Sequence, residues 1–372
     1  MLKLRVGIIG TGMAFERLHY PAYQELPDRY VIKAVCDEDK RKADFWAKKL
    51  NLDSSAVYSD YKEMVKRDDL DVIDIMVPIG MNYRVTHDVA SLITGSHKSI
   101  ICEKPLAATM EEAKAAAGLP QKYHVPIMIA ENYRYNEEIN IIRDYVGEKR
   151  IGETFYFVQN RVVDFLGDVA GDLFPSAEWR QHPDFPGGAI LDTGVHEFAA
   201  LRHIFGAIDK VQAFGRHQSY DYAPYSVICV NMLFKSGVIG IFSFFCSGKE
   251  MQRPLIGLRI FGDRGMIYLE ERNCGTVNVA YNNGDYERIP YRPQRGFFNE
   301  LLNFYQAASG NEPISVTPEM EFGDTYTVLQ ILKSIGTDDI IWLDKESDYK
   351  PDYGAFPKNA AREPRAGDTT FS

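Results

Sequence analysis

Leu4-Arg5-Val6-Gly7-Ile8-Ile9-Gly10-Thr11-Gly12-Met13-Ala14-Phe15 carries an apolar strand pattern straight into a glycine-rich turn, and a helix-compatible stretch follows. Gly10 permits a tight strand-to-helix turn, and Gly12 lets the backbone approach a pyrophosphate. The helix start then offers free amides and the positive end of a dipole. Gly10, Thr11, Gly12, Met13 and Ala14 are therefore the candidate phosphate loop of a dinucleotide site. The third glycine of that fingerprint is replaced by Phe15. That glycine serves helix–strand packing, so its loss leaves the phosphate chemistry in place. Asp37 ends the next apolar run, 25 residues beyond Gly12. A carboxylate there accepts from ribose hydroxyls and repels a 2′-phosphate. NAD is favoured, while the neighbouring Lys40 and Arg41 keep NADP open. A solvated acid or a helix N-cap is the plainer reading of Asp37.

Working outward, strand-length apolar runs recur at 31–36, 72–77, 99–102 and 126–130, separated by helical composition at 39–50 and 110–117. Near-continuous apolar strands alternating with helices predict a parallel sheet covered on both faces. The expectation for residues 1–130 is an α/β Rossmann domain with a doubly wound sheet. Thr109 and Glu112 form a capping box before the second of these helices. After residue 150 the strands lengthen, at 152–163, 211–217, 226–234, 238–246 and 258–261, and Lys235-Ser236-Gly237 reads as a hairpin turn. Residues 131–343 are accordingly expected to form an α+β domain around a large, mostly antiparallel, open-faced sheet. Helical stretches at 138–146, 190–205, 297–309 and 323–335 would cover one face. Residues 344–372 have the composition of a tail or arm.

The 372 residues suggest two domains, and 45% hydrophobic with 25% charged residues is a globular balance. Acidic residues outnumber basic ones, 52 to 42, for a formal net charge of −10. That argues against a nucleic-acid partner. The longest apolar run, 238–245, is far short of the ~20 residues a membrane span needs. No signal-peptide pattern precedes Leu4, and the five scattered cysteines form no CxxC pair, so a reduced, cytoplasmic protein is expected.

Three groups could carry chemistry. Cys102-Glu103-Lys104-Pro105 follows the fourth strand, at the edge where open α/β sheets bind ligands. A partly buried lysine there suits proton transfer; an exposed loop lysine is the alternative. Gly187-Gly188 is followed by Asp192-Thr193-Gly194-Val195-His196, where Asp192 and His196 share a helical face. A carboxylate beside a histidine orients the imidazole for proton abstraction. A structural pair, or a metal site with His203, competes with that reading; no GxSxG elbow supports a nucleophilic triad. Trp179-Arg180 suits a polyhydroxylated ligand by stacking and forked hydrogen bonding, or is an ordinary packing pair.

Taken in order, Gly10-Thr-Gly12-Met-Ala14, Asp37, Glu103-Lys104-Pro105, Trp179-Arg180, Gly187-Gly188 and Asp192-x-Gly194-x-His196 resemble the glucose–fructose oxidoreductase / inositol dehydrogenase / MocA (Gfo/Idh/MocA) family. His19-Tyr20-Pro21 and Phe261-Gly262-Asp263-Arg264-Gly265 extend the likeness, which runs from about residue 4 to 343. The resemblance implies an NAD(P)-dependent oxidoreductase acting on a sugar, inositol or related polyol. It implies a homodimer or homotetramer formed through the second sheet; no metal is expected, because no metal-motif spacing accompanies Asp192, His196 and His203. Lys104 would bridge nicotinamide and substrate, with Glu103 beside it at the cofactor. Asp192 and His196 would bind and deprotonate the substrate hydroxyl, with Trp179 and Arg180 lining its site. Where the family often shows Pro-Asn-x-x-His, this chain has Pro78, Asn82 and, at longer spacing, His87. Pro78 with Asn82 or His87 would meet the cofactor. Two other activities fit the same residues: an NAD-dependent glycosidase using transient oxidation, and a non-enzymatic dinucleotide-binding regulator.

Overall fold

The computed structural model describes residues 3–171, 174–246 and 256–343. The expected tail at 344–372 lies outside the described residues.

Six strands, β1 (Leu4–Ile9), β2 (Tyr30–Cys36), β3 (Val57–Tyr58), β4 (Val72–Ile75), β5 (Ser99–Glu103) and β6 (Ile127–Ala130), form one sheet ordered β3-β2-β1-β4-β5-β6. Every pairing in it is parallel. Helices cover both faces, so β4, β5 and β6 are buried along their whole length. That is why they read as unbroken apolar runs. The chain order reverses between β1 and β4, which opens a crevice at their carboxyl ends. The two-residue β3 was not anticipated, being too short to show any periodicity.

The second sheet has nine strands: β7 (Thr154–Val162), β8 (Ile208–His217), β9 (Tyr225–Phe234), β10 (Ile239–Phe245), β11 (Gly257–Gly262), β12 (Gly265–Leu269), β13 (Thr276–Tyr281), β14 (Tyr286–Pro290) and β15 (Ile341–Trp342). Their order is β14-β13-β12-β11-β7-β10-β9-β8-β15. All pairs are antiparallel except β7 with β10. β9 and β10 turn through Gly237 at φ +90°, a conformation that favours glycine.

Burial alternates along β9 and β10. One face packs on helices: Phe242 meets Phe198 edge-on, with ring centroids 5.0 Å apart, and Phe157 stacks on Phe205 at 4.8 Å. The other face is bare, with Phe214 58%, Ile239 54% and Ile241 38% exposed.

Before its last helix and strand the chain returns to the first sheet. Tyr30 Oη donates to Leu301 O at 2.6 Å, and Ile129 N to Val316 O at 3.0 Å. Helix Pro318–Thr337 packs on both β8 and the Rossmann-side helix Met110–Ala117, and so bridges the two sheets. Among the described residues no helix is long and apolar enough to cross a membrane.

Candidate functional site

A cleft of about 1570 Å³ runs from the loop after β1 to the first turns of the 190–205 segment. That exceeds the usual single-ligand pocket and leaves room for a cofactor with a second molecule beside it. At its first end Gly10 has φ +89°, and a Cβ there would sit 2.1 Å from Met76 O. Around the corresponding point of Gly12 nothing lies within 4 Å, so its backbone faces open space. Phe15 turns inward, fully buried, and meets Trp46 edge-on at 4.6 Å. The Trp46 indole donates to Thr11 O at 3.1 Å. The missing third glycine is thus replaced by an aromatic pair that braces the loop.

Asp37 is bound into the same loop. Thr11 N and Thr11 Oγ1 both donate to its Oδ2 at 2.8 Å, and Asp39 N donates to Oδ1 at 2.9 Å. It lines the cleft. The helix N-cap is Asp39, which accepts from Arg41 N and holds the Arg41 guanidinium at 2.9 Å. Lys40 pairs with Asp44. The open backbone at Gly12, the helix start after it and the carboxylate at Asp37 fit a dinucleotide.

Glu103 and Lys104 end β5. Glu103 is buried: one oxygen lies 3.0 Å from His19 Nε2, and the other accepts Lys104 N at 3.0 Å. His19 Nδ1 lies 2.9 Å from Asp74, which also accepts Tyr23 Oη at 2.8 Å. Burial works against a charged His19, but Asp74 and Glu103 outweigh it and raise the imidazole well above its ordinary pKa. Glu103 is therefore anchored on the buried His19 imidazole, just beyond the Gly10–Ala14 loop.

Pro78 lines the cleft; Asn82 and His87 do not. Asn82 is fully buried and donates to Glu103 O at 3.1 Å and to Pro105 O at 2.9 Å. Its expected cofactor contact is corrected: Asn82 holds the Glu-Lys-Pro turn from beneath. His87 bonds Tyr123 Oη at 2.8 Å, away from the cleft.

At the far end Asp192 gathers three partners. Lys104 Nζ donates to its backbone oxygen at 2.7 Å and to Oδ1 at 3.3 Å. Arg180 Nε donates to Oδ2 at 2.5 Å, and Tyr222 Oη to Oδ2 at 2.8 Å. Burial would push the Asp192 carboxyl up, but Arg180 and Lys104 overcome it and hold it well below the usual range. The Arg180 guanidinium lies 4.1 Å from the Trp179 ring centre, and both residues line the cleft. The glycine pair explains how Tyr222 reaches the site. A Cβ on Gly188, at φ +52°, would be 2.0 Å from Tyr222 O.

Asp192 does not orient His196, contrary to the spacing argument. The segment begins as a wide π-type turn, Ile190–Gly194, before the α-helix Val195–Phe205, and the two side chains take different partners. His196 Nδ1 lies 2.7 and 3.0 Å from the two oxygens of Glu131. Its ring stacks on Tyr133 at 4.4 Å. His203 is fully buried against Arg143 at 3.0 Å, so it does not join Asp192 and His196 in a metal site.

Glu131, Tyr133, Tyr222 and Asp74 were missed from the sequence, and His19 entered only through the family likeness, with no role at the site. Glu131 had a usable signal, because it follows β6 at the same carboxyl edge that marks Lys104.

Comparison with known proteins identifies the family and the fold. Residues 4–131 match the oxidoreductase family with an NAD-binding Rossmann fold, and residues 139–268 match the GFO/IDH/MocA C-terminal domain. The chain is 28% identical over 346 residues to an uncharacterised protein of Saccharomyces cerevisiae, spanning 90% of this chain and 96% of that one. It is 28% identical over 221 residues to levoglucosan dehydrogenase of Pseudarthrobacter phenanthrenivorans, spanning 57% of this chain and 54% of the enzyme. A solved levoglucosan dehydrogenase in complex with NADH shares the fold, with TM-score 0.80 and 20% identity, covering 92% of this chain and all of the other, 100%. The fold and site define an NAD-binding oxidoreductase. The chain belongs to the Gfo/Idh/MocA family.

Proposed function

We propose that the protein is an NAD-dependent dehydrogenase that interconverts a hydroxyl and a ketone on a sugar, inositol or related polyol. The observation that carries this reading is one continuous cleft with the Gly12–Asp37 loop at one end and Lys104, Arg180 and His196 at the other. The dehydrogenase relatives support the substrate class. The Gly10–Ala14 loop and Asp37 would hold the dinucleotide, which when bound would supply the hydride chemistry at the carbinol carbon.

The protein orients the substrate and moves the proton. Lys104, fixed by Asp192, donates to the reacting oxygen and stabilises negative charge as it develops. His196 Nε2 has no partner among the described residues and takes the hydroxyl proton. Trp179 gives a flat apolar wall to the C–H face of a ring, while Arg180 and Tyr222 offer donors to its other hydroxyls. Residues 1–130 hold the cofactor in this reading, and residues 131–343 supply the substrate side. The bare face of the second sheet pairs subunits into a homodimer or homotetramer. The cysteines are free, as suits a reducing cytoplasm.

A panel of aldoses, polyols and inositols with NAD and NADP, followed by the appearance of reduced nicotinamide, tests the proposal. Reduction of NAD by at least one cyclic polyol is expected. Silence across the panel contradicts it, and glycoside cleavage without net reduction would reassign the protein as a glycosidase.

A further inference from the structure

We propose that Glu131 is the positioning residue of His196, fixing its tautomer so that Nε2 faces the cleft as the base. The inference rests on the dehydrogenase reading above and assigns to Glu131 the part that the sequence pattern gives to Asp192.

Glu131 follows β6 and is completely buried. Its Oε1 accepts Tyr133 N at 3.1 Å, which locks the side chain to its own turn. Both of its oxygens lie within hydrogen-bond reach of His196 Nδ1, at 2.7 and 3.0 Å. An ionised carboxylate only accepts, so a bond there requires the proton on Nδ1, and in the neutral ring that leaves the lone pair on Nε2. Glu131 is held in that ionised form. Burial would raise its pKa, but His196 and then Lys104 outweigh it and bring it below the ordinary value.

The ring cannot easily turn away. Tyr133 stacks on it with planes 20° apart, and the Arg272 guanidinium lies 3.7 Å from the centre of the Tyr133 ring. Arg272 in turn bonds Glu197, the residue after His196, at 2.7 Å. Carboxylate, imidazole, phenol ring and guanidinium thus form a bracket that closes on the helix carrying the histidine. When Nε2 takes a proton, the resulting imidazolium already has a buried counter-charge in place. That lowers the cost of the proton-transfer state without any rearrangement. Asp192 cannot do this, because Arg180, Tyr222 and Lys104 occupy its carboxylate.

Glu131→Gln in the full chain is the test, read by ¹⁵N NMR of the His196 ring and by steady-state kinetics. In the wild type the neutral ring should show Nδ1 protonated and Nε2 bare. In the variant the carboxamide can either accept from Nδ1 or donate to it, so the pure Nδ1-protonated form should give way to a mixture containing the Nε2-protonated form. Turnover should fall about 10²–10⁴-fold, with the Kd for NAD unchanged. Glu131→Asp keeps the charge and should recover part of the loss. An unchanged ring signature, or wild-type turnover in Glu131→Gln, would overturn the inference. If the wild type oxidises no polyol, the dehydrogenase reading fails, while the tautomer still tests the Glu131–His196 bond by itself.

Discussion

Asp192 and His196 lie one helical turn apart and work in separate units: Asp192 is 2.5 Å from Arg180, whereas His196 is 2.7 Å from Glu131. The site therefore contains two separate buried carboxylate systems. One carboxylate collects two cations and a tyrosine and fixes Lys104. The other takes the imidazole.

Asp192→Asn should be a severe substitution. It leaves Lys104 and Arg180 largely buried without their counter-charge, which costs about 3 kcal/mol when one partner of a buried pair is removed. Asp192 has a depressed pKa in the folded state. Its stabilisation is present above the unfolded carboxyl value, about 3.9, and is lost as pH falls toward the folded value. Denaturant melts should show the variant weaker at pH 7, with the gap narrowing in acid. A variant as stable as wild type at pH 7 would mean that the two cations are solvated.

Cofactor choice follows from Asp37, which is held toward the cleft by Thr11 and Asp39. NADP would bring a 2′-phosphate against that carboxylate, and like-charge contact costs a few kcal/mol. NAD should give the higher kcat/KM, and Asp37→Ser should narrow the difference. A preference for NADP would point instead to capture of the phosphate by Lys40 or Arg41.

Glu300 offers a test of the buried acidic layer behind the lysine loop. It is fully buried, and among the described residues neither of its oxygens has a hydrogen-bond partner. Burial pushes its pKa well above normal, and Glu103 and Asp74 add to the shift against the opposing pull of His19. Such a group holds its proton to higher pH in the folded protein than in the unfolded chain, so stability is lost as pH rises. Glu300→Gln should remove that loss, making the variant more stable than wild type at neutral pH and similar to it at low pH. A variant less stable at neutral pH would show that Glu300 carries a charge there.

Self-association should use the bare sheet face. Ile239→Lys combined with Ile241→Lys places two charges where apolar area would otherwise be covered. Light scattering should show an oligomer for wild type and a monomer for the double variant. A monomeric wild type at micromolar concentration contradicts this.

The sequence made the long, strongly patterned parts legible. β1 and helix Met110–Ala117 stand where periodicity and the Thr109–Glu112 box put them. Short strands such as β3 and β15 escaped because two residues carry no period. At the site, motif spacing brought Lys104, Arg180, Asp192 and His196 to one cleft. It could not say which carboxylate serves which base, because that depends on contacts such as Glu131–His196 that join positions 65 residues apart. The π-type turn at Ile190–Gly194 also altered the direction that an ideal helix would have given Asp192. Asn82 was misassigned for a similar reason, since its role depends on the carbonyls of Glu103 and Pro105 above it.

The most direct measurement sets steady-state NAD reduction by Lys104→Ala and His196→Ala beside the wild type on its best polyol, with NAD affinity measured by calorimetry. Each variant should lose about 10²–10⁴-fold in turnover, the range for lost acid–base help, while binding NAD as the wild type does. A His196→Ala enzyme that keeps near-normal turnover would contradict proton transfer through this histidine.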